Sequence, residues 1–207
     1  MDIIKLPKIV ITYNRFLDPI CIAYAHTIPK WKEWIPPKIE DVKIQTKLFI
    51  EEWKKSEKYI LTGLSEALDL EFQYNFIDVY VVSGLPRSFS NPIVVRSGAT
   101  PEEFVDIVTH ELVHALLRQN NTIASWDSVN WVDSMYTDES KLVQNHLIVH
   151  AVLTYVYKKV LKDEERLERV RERSLNHGTG EYARAWEIID SYCYERFIED
   201  YKKRYKK

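Results

Sequence analysis

The chain has 207 residues, a formal net charge of −2, 45% hydrophobic and 29% charged residues. That length and balance suit one large globular domain, or a domain with an extension, able to bury a sizeable core. There is no global positive field to draw it to nucleic acid, and no stretch approaches the roughly 20 apolar residues of a membrane span.

In chain order, Lys8 to Tyr13 is short, apolar and β-branched and reads as a first strand. Residues 14–37 hold Pro19, Pro29, Pro36 and Pro37, so a mostly irregular segment is expected, with Trp31 and Trp34 packing on the body and His26 structural. From about Ile39 to Leu70 the apolar residues recur at three- and four-residue steps, which predicts one long helix or two, with Gly63 as a break or kink. Phe76 to Val82 is the clearest strand, and a breaker-rich turn from Ser83 follows it. Pro92 to Arg96 reads as a second short strand, whose proline suits a strand's first residue or a sheet edge, and along which a peptide could lie by strand pairing. Thr100-Pro101-Glu102-Glu103 then announces a helix: a capping threonine, a proline at the first helical position, and a glutamate three residues after the cap. Its expected span is Pro101 to Gln119.

Beyond Asn120-Asn121, an aromatic stretch with Trp126, Trp131 and Tyr136 leads to a helix from about Thr137 to Tyr157. Lys158 to Arg173 is densely charged and reads as a solvated helix, with Glu165 and Arg169 spaced for an ion pair. Asn176-His177-Gly178-Thr179-Gly180 is a turn, and Glu181 to about Tyr201 is a last helix before a basic tail. Two distant cysteines, Cys21 and Cys193, make neither a disulfide framework nor a cysteine-type zinc site, and reduced thiols are expected. The first residues lack the basic start and apolar run of a secretion signal, so a cytoplasmic location is expected.

The chemistry lies in Thr109-His110-Glu111-Leu112-Val113-His114. On a helix, His110 and His114 are one turn apart and share a face, where two imidazoles grip one metal ion with Glu111 beside it. Ile107, Val108, Leu112, Val113, Ala115, Leu116 and Leu117 surround them. A carboxylate and two imidazoles in so apolar a helix need a partner, and a metal satisfies all three.

Thr109 to Leu117 resembles the active-site helix of the zincin metallopeptidases. The resemblance implies His110 and His114 as Zn²⁺ ligands, Glu111 as general base, and a peptide or protein substrate. It also implies an α+β fold: a small mixed or antiparallel sheet with a backing helix, the active-site helix and a helical C-terminal region. On that basis residues 1–160 form the zincin-like metallohydrolase domain and 161–207 a helical extension packed on it.

The third ligand is open. Arg118, Gln119 and Asn120 follow the motif where the metzincin subgroup carries a near third histidine, so that subgroup does not apply. Glu139, His146 and His150 fall on one helical stripe downstream. A gluzincin-like layout points to Glu139, but Glu139 sits at a helix start, where acids serve capping and dipole needs. Asn145 to Ala151 carries a second pair of histidines one turn apart on an apolar helix. His146 is therefore read as the ligand, with His150 as its support or its alternative. Tyr136, Tyr155 and Tyr157 are candidate oxyanion donors. Two other functions fit these residues: a metal-binding protein without peptidase activity, and a metal-dependent hydrolase of a non-peptide substrate.

Overall fold

The computed structural model describes residues 6–121, 131–176 and 180–205. Met1 to Lys5, Trp126 and its neighbours, His177 to Thr179 and the last two lysines lie outside them. The fold is α+β, a four-stranded mixed sheet with eight α-helices among the described residues. The chain divides into two compact units that interleave in sequence: 6–58 with 74–115, and 59–73 with the described residues from 116 onward.

The first of these carries the sheet. Strands β1 (Lys8–Tyr13), β2 (Phe76–Val82), β3 (Phe89–Ser90) and β4 (Ile93–Arg96) lie in the order β1-β2-β4-β3. β1 and β4 both run parallel to β2, with Ile9 opposite Ile77, Ile11 opposite Val79 and Val81 opposite Val95. Alternation along β1 and β2 buries Ile9, Ile11, Ile77, Val79 and Val81, the side-chain period of two that a pleated strand imposes. Helix α1 (Leu17–His26) packs against β2, and its Cys21 joins Val82, Leu85 and Val94 in a small cluster. The long helix α2 (Ile39–Leu68) and the helix α3 (Pro101–Gln119) add Phe49 and Phe104, whose rings stack 4.2 Å apart.

Two expectations are corrected here. Residues 14–37 are not mostly irregular, because α1 runs through Pro19. That proline lies in the first turn, where a missing N–H costs nothing, and the Asn14 side chain accepts from the Phe16 and Leu17 amides at the helix start. Trp31 and Trp34 do pack on the body: Trp34 covers Gly84 so closely that any Cβ there would overlap its ring. His26 donates from Nε2 to the Trp34 carbonyl at 2.9 Å, a structural role as expected. β4 is not an edge strand. The chain turns at Asn91-Pro92, a cis peptide, so that β3 pairs antiparallel with β4, Phe89 opposite Val94, while β2 holds the other side. β1 and the two-residue β3 are the outer strands, and Ile93 and Val94 have no free side for an added peptide strand.

The ends of β1 and β2 are tied by one carboxylate. Asp18, buried in the first turn of α1, accepts from the Tyr13 hydroxyl (2.7 Å), the Ser83 amide (2.6 Å) and the Ser83 hydroxyl (2.8 Å). Ser97, just past β4, donates to the Ser83 carbonyl. Burial, then the bond to Asp18, pushes the Tyr13 phenol up to about 12. Asp18→Ala leaves a buried amide and two hydroxyls without their charged acceptor. Urea denaturation of this variant should show a loss of about 3 kcal/mol with an unchanged slope.

The other unit is helical. It contains α4 (Trp131–Met135), α5 (Lys141–Tyr155), α6 (Glu164–Leu175), α7 (Glu181–Tyr192) and α8 (Tyr194–Tyr205). α5 is buried along nearly all of Val143 to Thr154, the signature of a helix enclosed on every side, and α7 and α8 pack against it. Ser140 caps α5 by accepting from the Val143 amide. A wider π turn (Val156–Leu161) extends it to Lys162, which takes a left-handed conformation, and Asp163 then caps α6. Two further corrections arise here. α2 does not break at Gly63; its missing side chain makes room for Val160, whose methyl would lie 2.8 Å from a Cβ at that position. The last helix is two helices, because Cys193 adopts φ +74° between α7 and α8. Both cysteines are free.

Candidate metal centre

Helix α3 starts as its sequence dictates. The Thr100 amide donates to Glu103 (2.9 Å) and the Glu103 amide to the Thr100 hydroxyl (3.2 Å), the reciprocal bonds of a capping box. Downstream the helix is two-faced. Val105, Val108, Leu112, Val113, Leu116 and Leu117 are buried, whereas His110, Glu111 and His114 are half-buried. The apolar residues anchor the helix and leave the polar trio within reach of solvent. The His110 and His114 rings lie 5.1 Å apart, as one turn of helix requires. Asp106, one turn before His110, is a buried carboxylate that the apolar reading of this helix overlooked.

Helix α5 carries the second histidine pair. The His146 Nδ1 lies 2.7 Å from the Leu142 carbonyl one turn back. A carbonyl only accepts, so Nδ1 carries the proton and the lone pair resides on Nε2, the nitrogen then able to bind a metal. Burial pushes the His146 pKa down from the usual histidine value, against the raising effects of the Leu142 carbonyl and Glu181. Burial thus favours the neutral ring, the form a ligand must take. His150, one turn on, stacks flat on Trp186 of α7, centroids 4.0 Å apart at 10°. Arg171 lies over the same indole at 4.9 Å and hydrogen-bonds Asp190.

Among the described residues, one group of histidine, cysteine, aspartate or glutamate side chains has the geometry to hold a metal ion. It is His110, His114 and His146, whose ligand atoms all lie within 4.8 Å of one another. His150 and Glu139 are outside it. Glu139 is instead engaged by Arg184, whose Nε and Nη2 both approach Glu139 Oε1 to 2.8 Å.

Of the three tyrosines considered as oxyanion donors, Tyr157 is fully buried and Tyr136 has its phenol pushed up by burial and by Tyr192. The tyrosine beside the second histidine pair is one not singled out, Tyr182 at the start of α7. Its ring packs edge-to-face with that of His146, centroids 4.6 Å apart. The signal for it was available: Tyr182 and Trp186 repeat, on one face of α7, the spacing of His146 and His150 on α5.

Comparison with known proteins adds no relative, since no family model, curated protein or solved structure matches the chain. No helix among the described residues is long and apolar enough to cross a membrane.

Proposed function

We propose that the chain is a zinc-dependent hydrolase of peptide bonds, with His110, His114 and His146 as metal ligands and Glu111 as general base. The observation that carries this reading is the three-histidine group, with Glu111 next to one of its members on α3. The donor set fits zinc: imidazole nitrogen is a preferred zinc ligand, and three protein ligands leave a fourth position open for catalysis. The tautomer imposed on His146 by Leu142 fits as well, because it leaves the Nε2 lone pair for a ligand bond.

Bound zinc lowers the pKa of a coordinated water toward neutrality and polarises a carbonyl. The protein's own part follows from its residues. Glu111, half-buried and flanked by the histidines, accepts a proton from the attacking water and returns it to the leaving amine. The buried face of α3 keeps these groups in fixed register, so little reorganisation accompanies the reaction. The choice of a peptide substrate rests on the likeness of Thr109 to Leu117 to zincin active-site helices.

Metal analysis of the purified chain, paired with a peptidase assay, tests the reading. One zinc per chain is expected. A strong chelator should abolish hydrolysis, and stoichiometric zinc should restore it. Absence of stoichiometric zinc after supplementation would overturn the metal centre. One zinc per chain without hydrolysis of any peptide library would leave a metal-binding protein instead of a peptidase.

A further inference from the structure

We propose that Tyr182 is the positioning residue of the third ligand: its ring, packed edge-to-face with the His146 imidazole, holds that imidazole in the orientation that presents Nε2 to the metal. The proposal rests on the reading of His146 as a ligand. A carbonyl bond at Nδ1 fixes which nitrogen carries the proton, and packing against the ring sets its orientation about the side-chain torsions. A ligand displaced by a fraction of an ångström binds less well, so a ring contact that stops such displacement matters.

α7 supplies the stop. Tyr182 meets His146 at 4.6 Å with an interplanar angle of 66°, the edge-to-face arrangement that aromatic rings favour. One turn later Trp186 meets His150 face to face, so the two rungs pair one helix with the other. The rungs differ in burial. Trp186 is 2% exposed and belongs to the core, with Ala185, Ile188 and Ile189 around it. Tyr182 is half-buried, in the first turn of α7, and contributes little to that core. The ring, not the phenol oxygen, makes this contact, so phenylalanine should replace it and an aliphatic side chain should not.

The experiment is zinc affinity, measured by competition with a chelator of known strength. Wild type is compared with Tyr182→Phe, Tyr182→Leu and His146→Ala, and thermal unfolding of each zinc-free protein is recorded alongside. Tyr182→Phe should bind zinc as wild type does. Tyr182→Leu, which keeps most of the volume, should bind about ten- to a hundredfold more weakly, the range for residues that orient a ligand. Its zinc-free melting temperature should stay at the wild-type value. Wild-type affinity in Tyr182→Leu would overturn the proposal, and so would an equal loss in Tyr182→Phe, since the phenol would then be the acting group. A zinc-free Tyr182→Leu protein that melts well below wild type would also overturn it, by showing a structural role. If His146→Ala binds zinc as tightly as wild type, the ligand reading itself fails, which is a separate result from either of these.

Discussion

Glu111→Gln should leave the zinc content of the protein at one per chain and lower kcat/KM by about 10²–10⁴, the usual contribution of a positioned general base. Glutamine has nearly the same shape and keeps a carbonyl oxygen, so the packing of a half-buried position on α3 is preserved. What it loses is the capacity to take a proton. On the helix Glu111 lies about 100° round from His110, beside the ligand stripe and not on it. That placement predicts a separation of effects: activity falls and metal stays. Zinc analysis and steady-state kinetics on the same preparation read both. Full activity in the variant would remove the general-base role, and loss of zinc would make Glu111 a ligand. Acidification should act in the opposite order, removing metal as protons compete for the imidazoles.

The parts of the fold that were legible in the sequence are those where local chemistry and tertiary structure agree. Thr100, Pro101 and Glu103 mark the start of α3 because a capping box is satisfied by residues three apart, whatever lies beyond them. Phe76 to Val82 is recognisable because burial on one face imposes its alternation. The errors arise where a residue's local preference is overruled by position. Pro19 suggests irregular chain, yet in a first helical turn it is harmless. Gly63 suggests a break, yet α2 continues through it and the missing side chain admits Val160. Cys193 gives no sign of a break, because a non-glycine residue at φ +74° is held there by surroundings that a local window does not contain. β4 looked like an edge because Pro92 suits one. The two-residue β3 that covers it is too short to leave a periodic trace. At the candidate site, the spacing of His110 and His114 and the second pair at His146 and His150 were legible. Which of Glu139, His146 and His150 joins the first pair was not, since three residues on one stripe are equivalent until their neighbours are known.

Those neighbours make the second large prediction. His146→Ala should weaken zinc binding by more than the about ten- to hundredfold of a residue that only orients a ligand, and should abolish hydrolysis with it. Glu139→Ala should keep both, because its carboxylate is already committed to Arg184. His150→Ala should also keep zinc, although removing a ring stacked on Trp186 in the buried helix α5 will cost stability. Zinc affinity and stability therefore separate the three residues, and neither alone would. Thermal unfolding with and without metal gives the sharpest comparison. A ligand present at a hundred times its Kd stabilises the native state by about 2.7 kcal/mol. Wild type, Glu139→Ala and His150→Ala should each show a zinc-dependent rise in Tm, the last from a lower starting value. His146→Ala, which also removes a buried ring from α5, should start below the wild-type metal-free Tm and show no rise. A zinc-dependent rise that survives in His146→Ala and disappears in Glu139→Ala would move the third ligand to the helix start. The Arg184 ion pair would then have to open when metal binds.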